Sequence, residues 1–211
     1  MLIPIHAQIT RQALGASFSP RNLEAIIAAN SGQDALLGQF GHNEYHFDNN
    51  SFAKSRAYLD EQRALTLSAL RSGESTSALS AFGRLTHAAQ DFYAHTNYVS
   101  LWLARQTDSP PPPALEIDPV AADLLASPEL RSGKLYYPQE ALYFIPPLRG
   151  LALSILPRDS HAHMNLDSAE RGPLFEYAFQ AALKRTRLES EQIVITILPE
   201  QRKLFFGRMD S

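Results

Sequence analysis

Leu79-Ser80-Ala81-Phe82-Gly83-Arg84-Leu85-Thr86-His87-Ala88-Ala89-Gln90-Asp91-Phe92-Tyr93-Ala94-His95 is the stretch on which the fold turns. Leu79, Phe82, Leu85, Ala89 and Phe92 recur at helical spacing and alanine fills many of the gaps. The pattern predicts a long helix from about Ser75 to Gln106. Asp108-Ser109 and four prolines, Pro110 to Pro113, then end it, because proline lacks the amide hydrogen a helix interior needs. Positions four apart advance about 400° around a helix, so His87, Asp91 and His95 share one stripe. Two imidazoles flanking a carboxylate are a zinc-type donor set, and the carboxylate has the oxygens to bridge two ions. The alternative is a set of buried polar groups that satisfy each other. An aspartate buried beside Leu85 and Phe92 with no cation would be costly, which favours the metal.

Working outward, helix-forming segments dominate and the fold class reads as all-α, a compact multi-helix arrangement in one domain, 1–211. Ile9 to Leu14 begins a first helix. Ser19-Pro20 starts a second, with serine at the cap and proline in the first turn. A third runs from about Ser51 to Ser72 and a last from about Gly172 to Leu188. Between about 107 and 157 the chain is irregular and aromatic-bearing, with short helices near 119–126 and 150–156. A connection of that length suits an active-site cover. The tail, 190–207, holds the β-branched run Ile193-Val194-Ile195-Thr196-Ile197-Leu198, which reads as a small hairpin or as a strand pairing with another subunit in a homo-oligomer.

Two further clusters carry chemistry. Gly41-His42-Asn43-Glu44-Tyr45-His46-Phe47-Asp48-Asn49 reads as a loop, and loops on a rigid scaffold often supply ligands; His46 is its stronger candidate and His42 its weaker. Ser160-His161-Ala162-His163-Met164-Asn165-Leu166-Asp167 offers His161 with Asp167, or the helix-spaced pair His163 and Asp167. His6 stands near the start. Asp34, after Asn30-Ser31-Gly32-Gln33, reads from composition as a helix cap.

The bulk numbers narrow the function. There are no cysteines, so any transition metal must be held by histidine and carboxylate. Net charge is −3 with no basic block, which makes nucleic acid an unlikely partner by charge alone. The opening residues carry no signal-peptide pattern and no apolar run reaches eighteen residues, so a cytoplasmic protein is expected, with export by a signal-independent route left open.

His6-x-x-Ile9-Thr10, Ala29-Asn30-x-x-Gln33-Asp34, His46-Phe47-Asp48-Asn49 and Gly83-Arg84-Leu85-x-His87-Ala88-x-Gln90-Asp91-Phe92-Tyr93-Ala94-His95 together resemble the Het-C family. That family is similar to bacterial zinc-dependent phospholipases C and, more distantly, to single-strand-specific zinc nucleases. The resemblance implies an all-helical fold with two or three zinc ions. His87, His46 and Asp34 would hold one ion, with Asp91 bridging it to a second that His6 also binds. A third would lie between His95, His161 and Asp167, with Asn165 at the four-residue offset from His161. It implies hydrolysis of a phospholipid or other phosphodiester by metal-bound water, with Asp34 as base or water-orienting group, and peripheral contact with a membrane. The same relatives use an amino-terminal amine as a ligand, a role open here to Met1. Two other readings accompany it: a nuclease stacking bases on Tyr93, Tyr137 or Trp102, and a non-catalytic interaction or cell-death module assembled through the tail.

Overall fold

Residues 1–35, 41–107 and 109–208 are described by the structure, a computed structural model; Asp108, one of the residues expected to end the long helix, lies outside them. The described helices are α1 (Ile3–Leu14), α2 (Pro20–Ser31), α3 (Asn43–His46), α4 (Phe52–Arg71), α5 (Ser75–His95), α6 (Tyr98–Ala104), α7 (Ala122–Leu125), α8 (Arg149–Ile155), α9 (His161–Met164), α10 (Leu174–Val194) and α11 (Pro199–Phe206). The all-α class expected from the sequence holds. No strand occurs among the described residues, only isolated bridges from Thr96 to Ser132 and from Lys134 to Ser160.

Helix α5 is the axis. Every residue from Leu85 to His95 is buried, because α2, α4 and α10 pack around it. Gly83 sets the closest approach. A Cβ there would sit 2.5 Å from the Ile26 carbonyl oxygen and 2.7 Å from the Ala29 side chain, so the backbones of α2 and α5 nearly touch. That contact brings Asn30 against Thr86, with Nδ2 donating to Oγ1 at 3.1 Å, and carries the turn after α2, with Asp34, toward the histidine stripe. The start of α2 is as the sequence reads: Ser19 Oγ accepts from the Asn22 amide at 3.3 Å and Pro20 leads the first turn.

Three expectations are corrected. The long helix stops at His95 instead of running to Gln106. Thr96 turns extended, its hydroxyl donating to Phe92 O and accepting from the Tyr98 amide. The freed carbonyls find other partners: His95 O accepts from Gly133 N at 3.0 Å and Ala94 O from Leu166 N at 2.8 Å. Pairing with the following loop therefore outcompetes one further turn of helix. The 41–49 cluster is not wholly loop, since 43–46 form one helical turn before Phe47 turns left-handed at φ 57°. The tail forms no hairpin. Ile193 lies in the last turn of α10 and Ile197 in the turn to α11; both are buried, while Ile195 between them is 80% exposed. Burial four residues apart follows helical geometry, and this packing overrides the β-branched composition. The strand on which tail-mediated oligomerisation rested is therefore absent from the described residues.

Candidate metal centre

Five separate segments deliver acidic and imidazole groups to one end of α5. The helix itself presents His87, Asp91 and His95 on one face, as the four-residue spacing requires. His6 comes from α1, Asp34 from the 3₁₀ turn after α2, His46 from α3, and His161 from α9, with Asp167 shortly after it. Phe47 in left-handed conformation reverses the chain just after His46, so His46 and Asp48 both turn inward and both are buried.

His6, Asp34, His87 and Asp91 each offer one ligand atom, all within 4.8 Å of one another; Asp48, His95 and His161 form a second such group. Asp91 lies between them and is wholly buried. Its Oδ1 is 3.1 Å from His6 Nε2 and its Oδ2 is 3.1 Å from His87 Nε2 and 2.9 Å from His46 Nδ1. Asp34 Oδ1 is 3.8 Å from His87 Nε2 and 3.9 Å from His46 Nδ1, so this carboxylate faces the cluster; the residues it would cap as a helix start, 36–40, lie outside the described ones. Asp167 Oδ1 is 3.1 Å from His95 Nε2, and its Oδ2 is 3.9 Å from His161 Nε2. The Met1 amino group makes an ion pair with Asp91 and lies 3.3 Å from Asp167 and 3.5 Å from His95 Nε2.

The proton positions can be worked out from the neighbours. The hydroxyls of Thr10 and Thr186 donate to His6 O and Ala182 O, each at 2.8 Å. Both must therefore accept from Gln90 Nε2, at 3.1 and 3.0 Å, which points Gln90 Oε1 at His6 Nδ1, 2.6 Å away. His6 Nδ1 is the N–H, and in the neutral ring Nε2 is a bare lone pair. It is buried, makes no hydrogen bond, and is aimed at the oxygens of Asp91 and Asp34. Asp34 Oδ2 is likewise buried and without a hydrogen-bond partner. His95 repeats the arrangement: Nδ1 donates to His46 O at 2.8 Å, leaving Nε2 toward Asp167. Lone pairs facing carboxylate oxygens repel unless a cation lies between them. An imidazole whose far nitrogen donates to a carbonyl or amide oxygen is the usual posture of a metal ligand.

Charge follows the same lines. Burial pushes His87 down to about 4, so its ring is neutral and one nitrogen lone pair is available near pH 7. Burial lowers His6 as well. For Asp91 burial acts upward, but the Met1 amino group and then His95, His87 and His6 hold it well below the ordinary carboxylate range. Asp34 is raised, chiefly by burial. Burial opposes charge on His161 too, yet Asp48, 3.0 Å from its Nδ1, overrides this and pushes it up to about 9.

A cavity of about 490 Å³ opens onto the cluster, bounded by Asp34, His46, Asp48, His95, His161 and Asp167 at its floor. Its mouth is apolar: Leu2 and Ile3 on one side, Leu135, Tyr137, Ala141 and Phe144 on the other. The irregular stretch thus borders the site, as its length suggests. Of the other candidates, His42 pairs with Glu44 and stacks on Tyr45, while His163 Nε2 contacts Leu153 O; neither joins the cluster. Asn165 Nδ2 donates to the Tyr143 hydroxyl and two carbonyls, while its Oδ1 is buried without a hydrogen-bond partner. Of the proposed base-stacking rings, Tyr93 is buried with its hydroxyl on Pro119 O and Trp102 is buried near Tyr177; Tyr137 alone of the three lines the mouth.

Sequence reasoning missed Asp48 as a member and Gln90 as the group that orients His6. Asp48 was visible in the quoted run His46-Phe47-Asp48, but in helical sequence an i, i+2 pair does not share a face, and here the left-handed residue between them brings both inward. Nothing in the residue types signalled left-handed Phe47.

Fold and site together define an all-helical protein with a buried cluster of histidines and carboxylates that could hold metal ions. The chain belongs to the family described as the VWA7 N-terminal domain, whose model matches residues 5–123. The matched segment holds His6, Asp34, His46, Asp48, His87, Asp91 and His95, and ends before His161 and Asp167. The von Willebrand factor A domain-containing protein 7 of Rattus norvegicus is 36% identical over 91 residues, and that of Mus musculus likewise; each match takes in 41% of this chain and 10% of the relative. The Homo sapiens protein is 35% identical over 79 residues, 37% of this chain and 9% of the relative. The matched region is thus about a tenth of the length of these relatives. No solved structure matches. These findings overturn the resemblance to the Het-C family and to the phospholipases C and nucleases near it. A stripe of His, Asp and His at four-residue spacing is what many helices would need to hold ions on one face. It reports chemistry and not ancestry.

Proposed function

We propose that this domain is a metal-dependent phosphodiester hydrolase holding two or three zinc ions and acting on a phospholipid. One observation carries the reading: the Nε2 lone pair of His6, buried and without a hydrogen-bond partner, is aimed at Asp91 and Asp34 by neighbours that put the proton on Nδ1. With no cysteine in the chain, a histidine and carboxylate set suits zinc among the transition metals. His6, Asp34, His46, His87 and Asp91 would hold ions at the inner group, and Asp48, His95, His161 and Asp167 at the outer. Zinc there would supply charge stabilisation for the phosphoryl oxygens and lower the pKa of water toward neutrality.

The residues divide the remaining work. Asp34 lines the cavity and has a buried oxygen with no hydrogen-bond partner and a raised pKa, all suited to taking a proton from the attacking water. Gln90 keeps His6 oriented, and His46 O does the same for His95. The apolar mouth would seat the lipid part of the substrate while its phosphate reaches the floor.

The test is headgroup release from phosphatidylcholine and cleavage of bis(p-nitrophenyl) phosphate by zinc-loaded protein. Asp34→Asn is expected to lower turnover about 100-fold or more while keeping the fold, since loss of a general base typically costs 10²–10⁴-fold. Bound zinc with no turnover of either substrate would make the centre structural and end the hydrolase reading.

A further inference from the structure

Among the described residues twelve large apolar side chains stand exposed, and their distribution is uneven. Leu2, Ile3, Tyr137 and Phe144, each 45–48% exposed, ring the mouth of the cavity. Ile145, Leu151 and Ile155 add three more within eleven residues of Phe144. Seven of the twelve therefore fall in the segment that opens α1 and the segment 137–155. The run Phe144-Ile145-Pro146-Pro147 is exposed throughout, and Leu148 alone is half-buried before Arg149-Gly150-Leu151 are exposed again. Underneath, Tyr143, Ala152, Leu156 and Ala162 form a small core of their own, so this surface rests on a packed support. Buried Glu140 fastens it to the site: its Oε1 accepts from the Ala162 amide at 2.6 Å, in the helix that carries His161.

Charge points the same way. Between Glu140 and Asp159 there is no acidic residue, while Arg149 and Arg158 are both exposed. Arg149 is held over the Tyr143 ring and donates from Nε to Tyr143 O. An apolar stretch with two exposed guanidinium groups and no acidic residue of its own suits an anionic bilayer, where apolar side chains enter the acyl boundary and cations meet phosphates. Apolar surface gathered at one place on a folded domain marks an interaction site. A protein partner seated here would close the entrance to the cavity, whereas a bilayer would present lipid to it.

We propose that the rim formed by the start of α1 and by residues 137–155 docks on the surface of an anionic lipid bilayer. Its purpose, delivery of lipid to the centre, rests on the hydrolase reading; the docking itself does not. The experiment is co-sedimentation of the intact zinc-loaded chain with vesicles of phosphatidylcholine, alone or with one quarter phosphatidylglycerol, with headgroup release measured in the same supernatants. The chain should pellet with the anionic vesicles. The double variant Ile145→Ser/Leu151→Ser should lose at least ten-fold in vesicle binding while keeping its helical circular dichroism and its cleavage of soluble bis(p-nitrophenyl) phosphate. The control Ile195→Ser, as apolar and more exposed but in the tail, should bind as wild type. No pelleting with either vesicle, or equal losses in the double variant and the control, would overturn the proposal. So would a wild-type dimer that the double variant converts to monomer without vesicle binding, since a second copy would then cover the face. Pelleting with no headgroup release would sink the hydrolase reading and leave the docking intact.

Discussion

His6 and Gln90 show how much of this site is decided by hydrogens. Two threonine hydroxyls already committed to carbonyls fix the amide, the amide fixes the imidazole, and the imidazole lone pair is left facing carboxylates. Gln90→Leu removes the acceptor for His6 Nδ1 and should weaken zinc binding about 10–100-fold by calorimetric titration. Thr186→Val, which spares the Gln90 oxygen, should change affinity far less. The outer group should be pH-dependent. His161 is pushed up to about 9, so at pH 7 a proton must leave before a metal binds. Affinity there is expected to climb about tenfold per pH unit up to about pH 9, where the ring is already neutral. Proton release measured in buffers of different ionisation enthalpy checks this. Without metal the sign reverses: a raised histidine pKa stabilises fully below the unfolded value of 6.5, and that contribution is lost as pH rises through about 9.

The elements owe their positions to a few close contacts. Gly83→Val would drive a side chain into the Ile26 carbonyl and should destabilise the domain by about 1–3 kcal/mol in urea unfolding, with loss of metal as Asp34 moves away. Gly150→Ala in α8, with nothing within 4 Å, should be neutral or stabilising, since alanine suits a helix better. Several elements were legible in the sequence because each has a local cause: the serine cap and proline of α2, the apolar spacing of α4, α5 and α10, and the four-residue stripe of α5. The break at Thr96 was not, because it depends on carbonyls of His95 and Ala94 accepting from Gly133 and Leu166, far along the chain. The tail misled because Ile193 and Ile197 have strand-like composition and helical burial. Asp48 escaped notice for the same kind of reason, its orientation being set by one left-handed residue.

For the whole molecule, the all-helical class could be anticipated from helix-forming sequence, whereas the grouping of His6, Asp34, His46, His87, Asp91, His95, His161 and Asp167 was expected only from the resemblance to the Het-C family: His6 stands among apolar residues, and Asp34 reads from composition as a helix cap. Family membership could not be anticipated. It rests on a match across residues 5–123, and short histidine motifs fixed by ligand geometry pointed elsewhere. The matched segment contains the inner group and part of the outer one, while His161 and Asp167 come from beyond it. The central claim is that these groups hold metal. Zinc content per chain, by elemental analysis after equilibration with zinc and removal of the excess, tests it most directly. The account predicts two or three ions, falling by at least one in Asp91→Asn with the helical content unchanged. A protein that retains no zinc would mean that the cluster is satisfied by protons and the Met1 amine alone, with the lone pair of His6 left unmatched, and would contradict the metal reading.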